Sequence, residues 1–288
     1  MAWIQIKIDT LSGTVDALSE LLSAAGAAAV TLESAASHAV YEPPPNEVKL
    51  WQETRIVGLF SDDIDLKSLL VSLTGHHYTL ETLEERDWER AWMENFHPLC
   101  FGQRLWIVPS WHTPPDPAAI NILLDPGLAF GTGSHPTTAL CLQWLDSHSP
   151  HDLNVIDYGC GSGILAIAAA KLGARHTWAI DHDPQAIEAT LSNAHNNGVT
   201  ALITAGDATL AAPPAAVDLL LANILAQPLI EFAPRFAQYV RPGGRVVLSG
   251  VLDHQIDAVA AHYHPWFTLQ PATCQEEWGL IEGTRHST

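Results

Sequence analysis

Residues 154–163, Asn154-Val155-Ile156-Asp157-Tyr158-Gly159-Cys160-Gly161-Ser162-Gly163, decide the fold of this chain. An apolar pair, Val155-Ile156, ends in an acidic residue and runs straight into a turn with glycine at every second position. Residues 164–172 then read as a helix. Strand, glycine turn and helix in this order mark a doubly wound parallel sheet, whose ligand crevice lies outside the carboxyl ends of the strands. Glycine belongs there because the turn is tight and its backbone must approach a ligand closely.

Downstream, the pattern repeats. Residues 155–157, 178–181, 202–205, 219–223 and 246–250 read as short buried strands. Two helices lie between the first four strands, with a short polar, proline-rich connection after Asp207, and a further helix follows Asn223. Such alternation specifies a mostly parallel sheet covered by helices on both faces. Residues 266–270 and 278–283 extend one edge as an antiparallel pair. Ahead of the glycine turn, residues 105–108 and 120–124 are short strands separated by the turn Thr113-Pro114-Pro115-Asp116-Pro117.

The first third of the chain reads differently. Residues 3–8 alternate apolar and polar side chains, and residues 14–25 carry Val15, Leu18, Leu21 and Leu22 at helical spacing. Residues 27–32, 49–60 and 78–83 are expected strands, residues 64–73 an expected helix, and Glu42-Pro43-Pro44-Pro45-Asn46 a break. The order β-α-β-β-α-β is that of a small ferredoxin-like α+β domain. Between it and the larger domain, Trp88, Trp92 and Phe96 recur every fourth residue, on one face of a linker helix. The expected organisation is therefore a domain over residues 1–84, a linker helix over 85–98, and a catalytic domain over 99–288.

Composition narrows the partners. Thirteen Lys and Arg stand against thirty-two Asp and Glu, a formal net charge of −19. The basic residues form no run, so the phosphate-binding stripe of a nucleic-acid partner is absent. Sixteen acidic residues against six basic ones over residues 1–98 favour a basic macromolecular partner instead. The four cysteines, Cys100, Cys141, Cys160 and Cys274, contain no Cys-x-x-Cys pair, which argues against a disulfide framework or a cysteine zinc site. His148 with His151, and His262 with His264, lack a supporting ligand constellation, so no metal is expected. No basic-then-apolar leader opens the chain and no apolar stretch is long enough to span a bilayer. A cytoplasmic protein is expected, free of membrane, with a monomer as the favoured state.

Several residues bear on the ligand. The turn is Gly-x-Gly-x-Gly with Asp157 two residues ahead of it, and a carboxylate there would repel a pyrophosphate. S-adenosylmethionine carries an ammonium and a sulfonium but no phosphate, and suits an acidic turn. Gly159 and Gly161 would line it. Asp181 ends the next strand, where a carboxylate accepts hydrogen bonds from ribose hydroxyls. Asp183-Pro184 reads as a helix N-cap followed by proline at the first helical position. Asp207, after the third strand, is either an acceptor for the adenine amine or part of a plain turn. Asn223 ends the fourth strand, where its amide faces the crevice or caps the following helix.

These residues also carry a family resemblance. Asp125-Pro126-Gly127-Leu128-Ala129-Phe130-Gly131-Thr132-Gly133-Ser134-His135-Pro136-Thr137-Thr138, the glycine turn, and Ala222-Asn223-Ile224-Leu225-Ala226 together resemble the PrmA family, methyltransferases of ribosomal protein L11. The Phe-Gly-Thr-Gly-x-His-x-Thr-Thr string is far more specific than the glycine turn, and the match spans the catalytic region from about residue 125 to residue 250. The resemblance implies a Rossmann-like class I methyltransferase domain behind a small substrate-recognition domain. It implies that Thr138, Gly159, Asp181 and Asn223 contact S-adenosylmethionine, and that lysine side chains and the N-terminal α-amine of L11 are methylated in repeated rounds. His135 is the only histidine in the string and is read as structural.

Class relatives that methylate amides or adenine carry Asn-Pro-Pro-aromatic where this chain has Asn223-Ile224-Leu225. That departure argues against a flat substrate held on a rigid turn. The alternative within the class is methylation of a different protein amine or amide. A nicotinamide-dependent dehydrogenase and a non-catalytic binding module are the readings outside it. Gly131-Thr132-Gly133-Ser134 lacks the Gly-Lys-Ser/Thr ending of a phosphate loop, which argues against nucleotide hydrolysis, and a loop covering the cofactor is the better reading.

Overall fold

The structure is a computed structural model that describes residues 3–35, 51, 53–83, 96–125, 133–209, 211 and 216–287. Its contacts divide into two units, Met1–Asn95 and Phe96–Thr288. Trp88, Trp92 and most of the expected linker helix lie outside the described residues, as do residues 126–132 of the specific string. Phe96, His97 and Pro98 are irregular backbone.

The first unit runs β1 (Trp3–Leu11), α1 (Val15–Ala24), β2 (Ala29–Ser34), β3 (Glu53–Ser61), α2 (Leu66–Ser72) and β4 (Tyr78–Leu83). The sheet order is β2-β3-β1-β4 with every neighbouring pair antiparallel. This is the ferredoxin-like arrangement expected from the sequence. Period-two alternation turns Ile6 and Ile8 of β1 and Ile56 and Phe60 of β3 to one face, where Val15, Leu18 and Leu22 of α1 cover them. Asp65 caps α2 by accepting from the Ser68 amide at 3.3 Å.

The second unit opens with a three-stranded sheet of β5 (Leu99–Phe101), β6 (Leu105–Val108) and β7 (Ile120–Leu123), then α3 (Pro136–Ser147). The alternating part follows as β8 (Asn154–Tyr158), α4 (Ile164–Lys171), β9 (His176–Ile180), α5 (Pro184–Asn196), β10 (Ile203–Gly206), β11 (Val217–Asn223), α6 (Ala226–Tyr239) and β12 (Val240–Leu252). α7 (Ile256–Tyr263), β13 (Phe267–Leu269), β14 (Thr273–Gln275) and β15 (Trp278–Arg285) complete it. The main sheet has the order β10-β9-β8-β11-β12-β15-β13, with β14 paired to β15. Pairs from β10 through β12 are parallel, and β15 runs antiparallel between β12 and β13.

Both faces of this sheet are buried. Leu219 and Leu221 of β11 pack with α3 and α4 residues such as Leu142, Leu145, Leu165 and Ile167. Leu220 packs on the opposite face with Leu229 and Phe236 of α6 and Tyr263 of α7. Burial on both sides is why these strands read as unbroken apolar runs. Strand order reverses at β8, whose neighbours are β9 and β11, and the crevice belongs at the carboxyl ends of those three strands.

Candidate active site

The glycine turn leaves β8 with Gly159, Gly161 and Gly163 at φ of 77°, 54° and 78°, a region L side chains avoid. The amides of Gly159 and Cys160 donate to the Ile180 carbonyl at 2.8 and 3.1 Å, tying the turn to the end of β9. α5 holds the other side. Thr190 Oγ1 donates to the Gly161 carbonyl at 3.0 Å, and Asn193 Nδ2 donates to the Ser162 carbonyl at 2.8 Å. Asn197, at the C-cap, makes a two-point clamp on Leu123 at the end of β7, accepting from its amide at 2.9 Å and donating to its carbonyl at 2.8 Å. Spacings of three and four place all three side chains on one face of the helix. The Thr190→Val variant keeps the shape but leaves the part-buried Gly161 carbonyl without its donor. S-adenosylmethionine binding measured by calorimetry is expected to weaken about tenfold, with Thr190→Ser close to wild type. Equal affinity in all three proteins would show that the turn needs no brace.

Asp181 sits at this turn. Its carboxylate accepts from the Gly161 amide through Oδ2 at 2.9 Å and from the Asp183 amide through Oδ1 at 3.1 Å, where the His182 ring also stands at 3.3 Å, and Oδ2 keeps a lone pair for a hydroxyl. Asp183 is the N-cap of α5, accepting from the Gln185 amide at 2.9 Å with Pro184 inside the first turn. Asp207 accepts from both the amide and the hydroxyl of Thr209, at 2.8 and 2.6 Å, which is a turn built around that side chain.

Asp157 lies beneath the turn, only 1% exposed. One oxygen accepts from the Ala166 amide of α4 at 3.0 Å, and Oδ1 is buried without a hydrogen-bond partner. Burial pushes its pKa up to about 7, against the Ala166 hydrogen bond and with help from the Asp181 charge. That orphaned oxygen puts negative potential directly under the turn, which suits a cationic ligand seated above it. The residues present therefore fit S-adenosylmethionine.

On the β11 side, Asn223 Nδ2 donates to Thr138 Oγ1 at 3.2 Å. Thr138 is fully buried in the first turn of α3. His135 is the N-cap of that helix, its Nδ1 accepting from the Thr137 amide at 3.4 Å while its ring stands edge-on to Trp278 at 4.8 Å. Burial lowers its pKa, partly opposed by the charge of Glu276, which favours the neutral ring that a cap acceptor needs.

Ile224 links the two halves of the site. A Cβ on Gly159 would overlap Ile224 Cγ2, and one on Gly250 of β12 would overlap the Ile224 carbonyl oxygen. The structure thus brings together all five residues expected to line the site: Gly159, Gly161 and Asp181 at the turn, Thr138 and Asn223 joined beside it. Gly250, Thr190, Asn193 and Asn197 were not foreseen. A glycine inside a buried strand, and the polar stripe Thr190-x-x-Asn193-x-x-x-Asn197 on an otherwise alanine-faced helix, are the signals that mark them. A cavity of about 300 Å³ lined by Ser110, Leu123, Asp125, Asn193 and Asn196 contains none of those five residues. Among the described residues, no three His, Cys, Asp or Glu side chains could hold a metal, and no helix is long and apolar enough to cross a membrane.

A family model for ribosomal protein L11 methyltransferase (PrmA) matches residues 2–286. The ribosomal protein L11 methyltransferase of Marinobacter nauticus is 50% identical over 299 residues, covering 99% of each chain. That of Sodalis glossinidius is 50% identical over 292 residues, covering 99% of this chain and 100% of its own. The crystal structure of ribosomal protein L11 methylase from Lactobacillus delbrueckii subsp. bulgaricus is similar with a TM-score of 0.61 at 33% identity, covering 66% of this chain and 100% of that one.

Proposed function

This chain belongs to the ribosomal protein L11 methyltransferase (PrmA) family, and on that premise we propose that it methylates lysine side chains and the N-terminal α-amine of ribosomal protein L11. The observation that carries the reading is the Thr138–Asn223 hydrogen bond beside the glycine turn. S-adenosylmethionine supplies a methyl group already activated on a sulfonium. Asp157 and Asp181 would hold its ammonium and ribose, and Gly159 and Gly161 would admit it to the turn.

What remains for the protein is alignment and deprotonation. With Nδ2 of Asn223 given to Thr138, its amide oxygen is the acceptor left to orient an incoming amine. A lysine amine, with an ordinary pKa of about 10.4, must lose a proton before it attacks. Desolvation in the crevice favours the neutral form, and water takes the proton. Ile224 and Leu225 shape a site for a flexible amine and not for a planar amide or base. The acidic first unit suits recognition of a basic ribosomal protein, and residues 85–98 would link it to the catalytic domain of residues 99–288. We propose that the reaction takes place in the cytoplasm, without membrane or direct nucleic-acid contact, as the acidic surface and the lack of a basic run suit.

The test is mass spectrometry of L11 after incubation with enzyme and S-adenosylmethionine. Methyl increments on lysines and on the α-amine are expected, and unmodified L11 would overturn the substrate. Asn223→Ala should lower kcat/KM for L11 about tenfold, the worth of one orienting hydrogen bond.

A further inference from the structure

Leu225 breaks two local rules at once. It is the N-cap of α6, with extended φ and ψ of −60° and 156°, the position where Ser, Thr, Asn or Asp would accept from an orphan helix amide. Leucine offers no acceptor, and the cap has no side-chain hydrogen bond. The same side chain is 53% exposed, although it is large and apolar. A single exposed leucine is unremarkable in itself. A large apolar side chain that forgoes a helix cap and stays exposed two residues after Asn223 is a local conflict of the kind found at functional sites.

Its position is not adjustable. Ile224 is held between Gly159 of the glycine turn and Gly250 of β12, so the backbone on both sides of it is fixed. Two residues before Leu225 is Asn223, whose amide oxygen is left to receive the substrate amine. A lysine that brings its amine to that oxygen brings four methylenes past the residues that flank Asn223. An α-amine has no such stem.

We propose that Leu225 is a specificity-determining residue whose exposed side chain packs against the aliphatic stem of the substrate lysine, selecting long, flexible amines over short ones. This rests on the reading of the site as an L11 amine methyltransferase. The lost cap is the structural counterpart of that selectivity: the position serves the substrate and not the helix.

The experiment compares wild type, Leu225→Ser and Leu225→Met on intact L11, with lysine and α-amine methylation rates read separately by mass spectrometry of proteolytic fragments. Leu225→Ser supplies a capping hydroxyl, so its Tm is expected at or about 2 °C above wild type. Its ratio of lysine to α-amine methylation is expected to fall about tenfold, through kcat/KM for lysine. Leu225→Met, which keeps apolar reach, should restore the ratio to within about twofold of wild type. A Leu225→Ser enzyme with the wild-type ratio, or one that loses both amines equally, overturns the role of Leu225 alone. Wild-type enzyme that leaves L11 unmodified overturns the amine-methyltransferase reading and the inference with it.

Discussion

An alanine at position 250 is expected to destabilise the catalytic unit by about 4 kcal/mol and to abolish methyl transfer. Gly250 has φ of 85°, where an L side chain strains the backbone by about 1–2 kcal/mol. The larger contribution is steric. An added Cβ would overlap the Ile224 carbonyl oxygen and lie 2.8 Å from its carbonyl carbon and 3.0 Å from its nitrogen. These are backbone atoms, so no rotamer change relieves the overlap, and the Asn223–Leu225 segment must lift off β12. Neither can β12 easily retreat, because Ser249 donates to the Gly279 carbonyl at 3.0 Å within a fully buried bulge of the β12–β15 ladder. Gly198→Ala is the matched control: its φ is 69°, and an added Cβ there meets nothing within 4 Å. That variant should lose only about 1 kcal/mol and keep its activity. Denaturant unfolding and a methyl-transfer assay on both variants decide the matter. A Gly250→Ala protein no less stable than Gly198→Ala would show that the Asn223 segment is not pinned.

That contrast also shows where sequence reading stops. The strands from β8 to β12 were legible because both their faces are buried, and continuous apolar runs between turn signals leave little choice. Asp183-Pro184 announced the start of α5 by cap chemistry alone, and the structure places the cap there. By the same logic β5 and β14, three residues each, carry too little pattern to be seen, and β15 was legible as a strand but not as the one lying between β12 and β13. β12 runs over Val240–Leu252, well beyond the five residues expected, because an Arg-Pro-Gly-Gly stretch hides its first half. Gly198 and Gly250 look alike in sequence, and only the packing of Ile224 separates them. Of the residues expected at the crevice, the glycine turn, Asp181 and Asn223 could be picked out from strand ends and spacing, while Thr138 came only from the family resemblance. Those that hold the crevice in shape, Thr190, Asn193, Asn197 and Gly250, act across long sequence separations, so the sequence marks them only as an odd glycine and a polar stripe and the folded chain supplies their partners.

Asp157 ties the cofactor site to pH, and its substitution should remove that dependence. Its pKa is pushed up to about 7 from an ordinary 3.8, because burial penalises the carboxylate more than the Ala166 amide stabilises it, with the Asp181 charge adding to the rise. The folded chain therefore holds this proton where the unfolded chain has released it. From about pH 4 to about pH 7 the native state binds more protons than the unfolded one, so this group's contribution to stability falls as pH rises and levels off above 7. Three decades of proton affinity, at about 1.4 kcal/mol each, set a ceiling of about 4 kcal/mol on the loss. A cationic ligand beside Oδ1, the oxygen without a protein partner, favours the ionised form and reverses the penalty. S-adenosylmethionine binding should accordingly tighten by up to about tenfold per pH unit between pH 5 and 7, releasing a proton. Calorimetry in two buffers of different ionisation enthalpy measures the proton, and urea unfolding at pH 5, 6 and 7 measures the stability slope. Asp157→Asn keeps an acceptor for Ala166 but cannot ionise, so both slopes should flatten and S-adenosylmethionine should bind at least about tenfold more weakly at pH 7. If the variant and the wild type show the same two slopes, the carboxylate does not sense the cofactor and the cation must be held elsewhere in the turn.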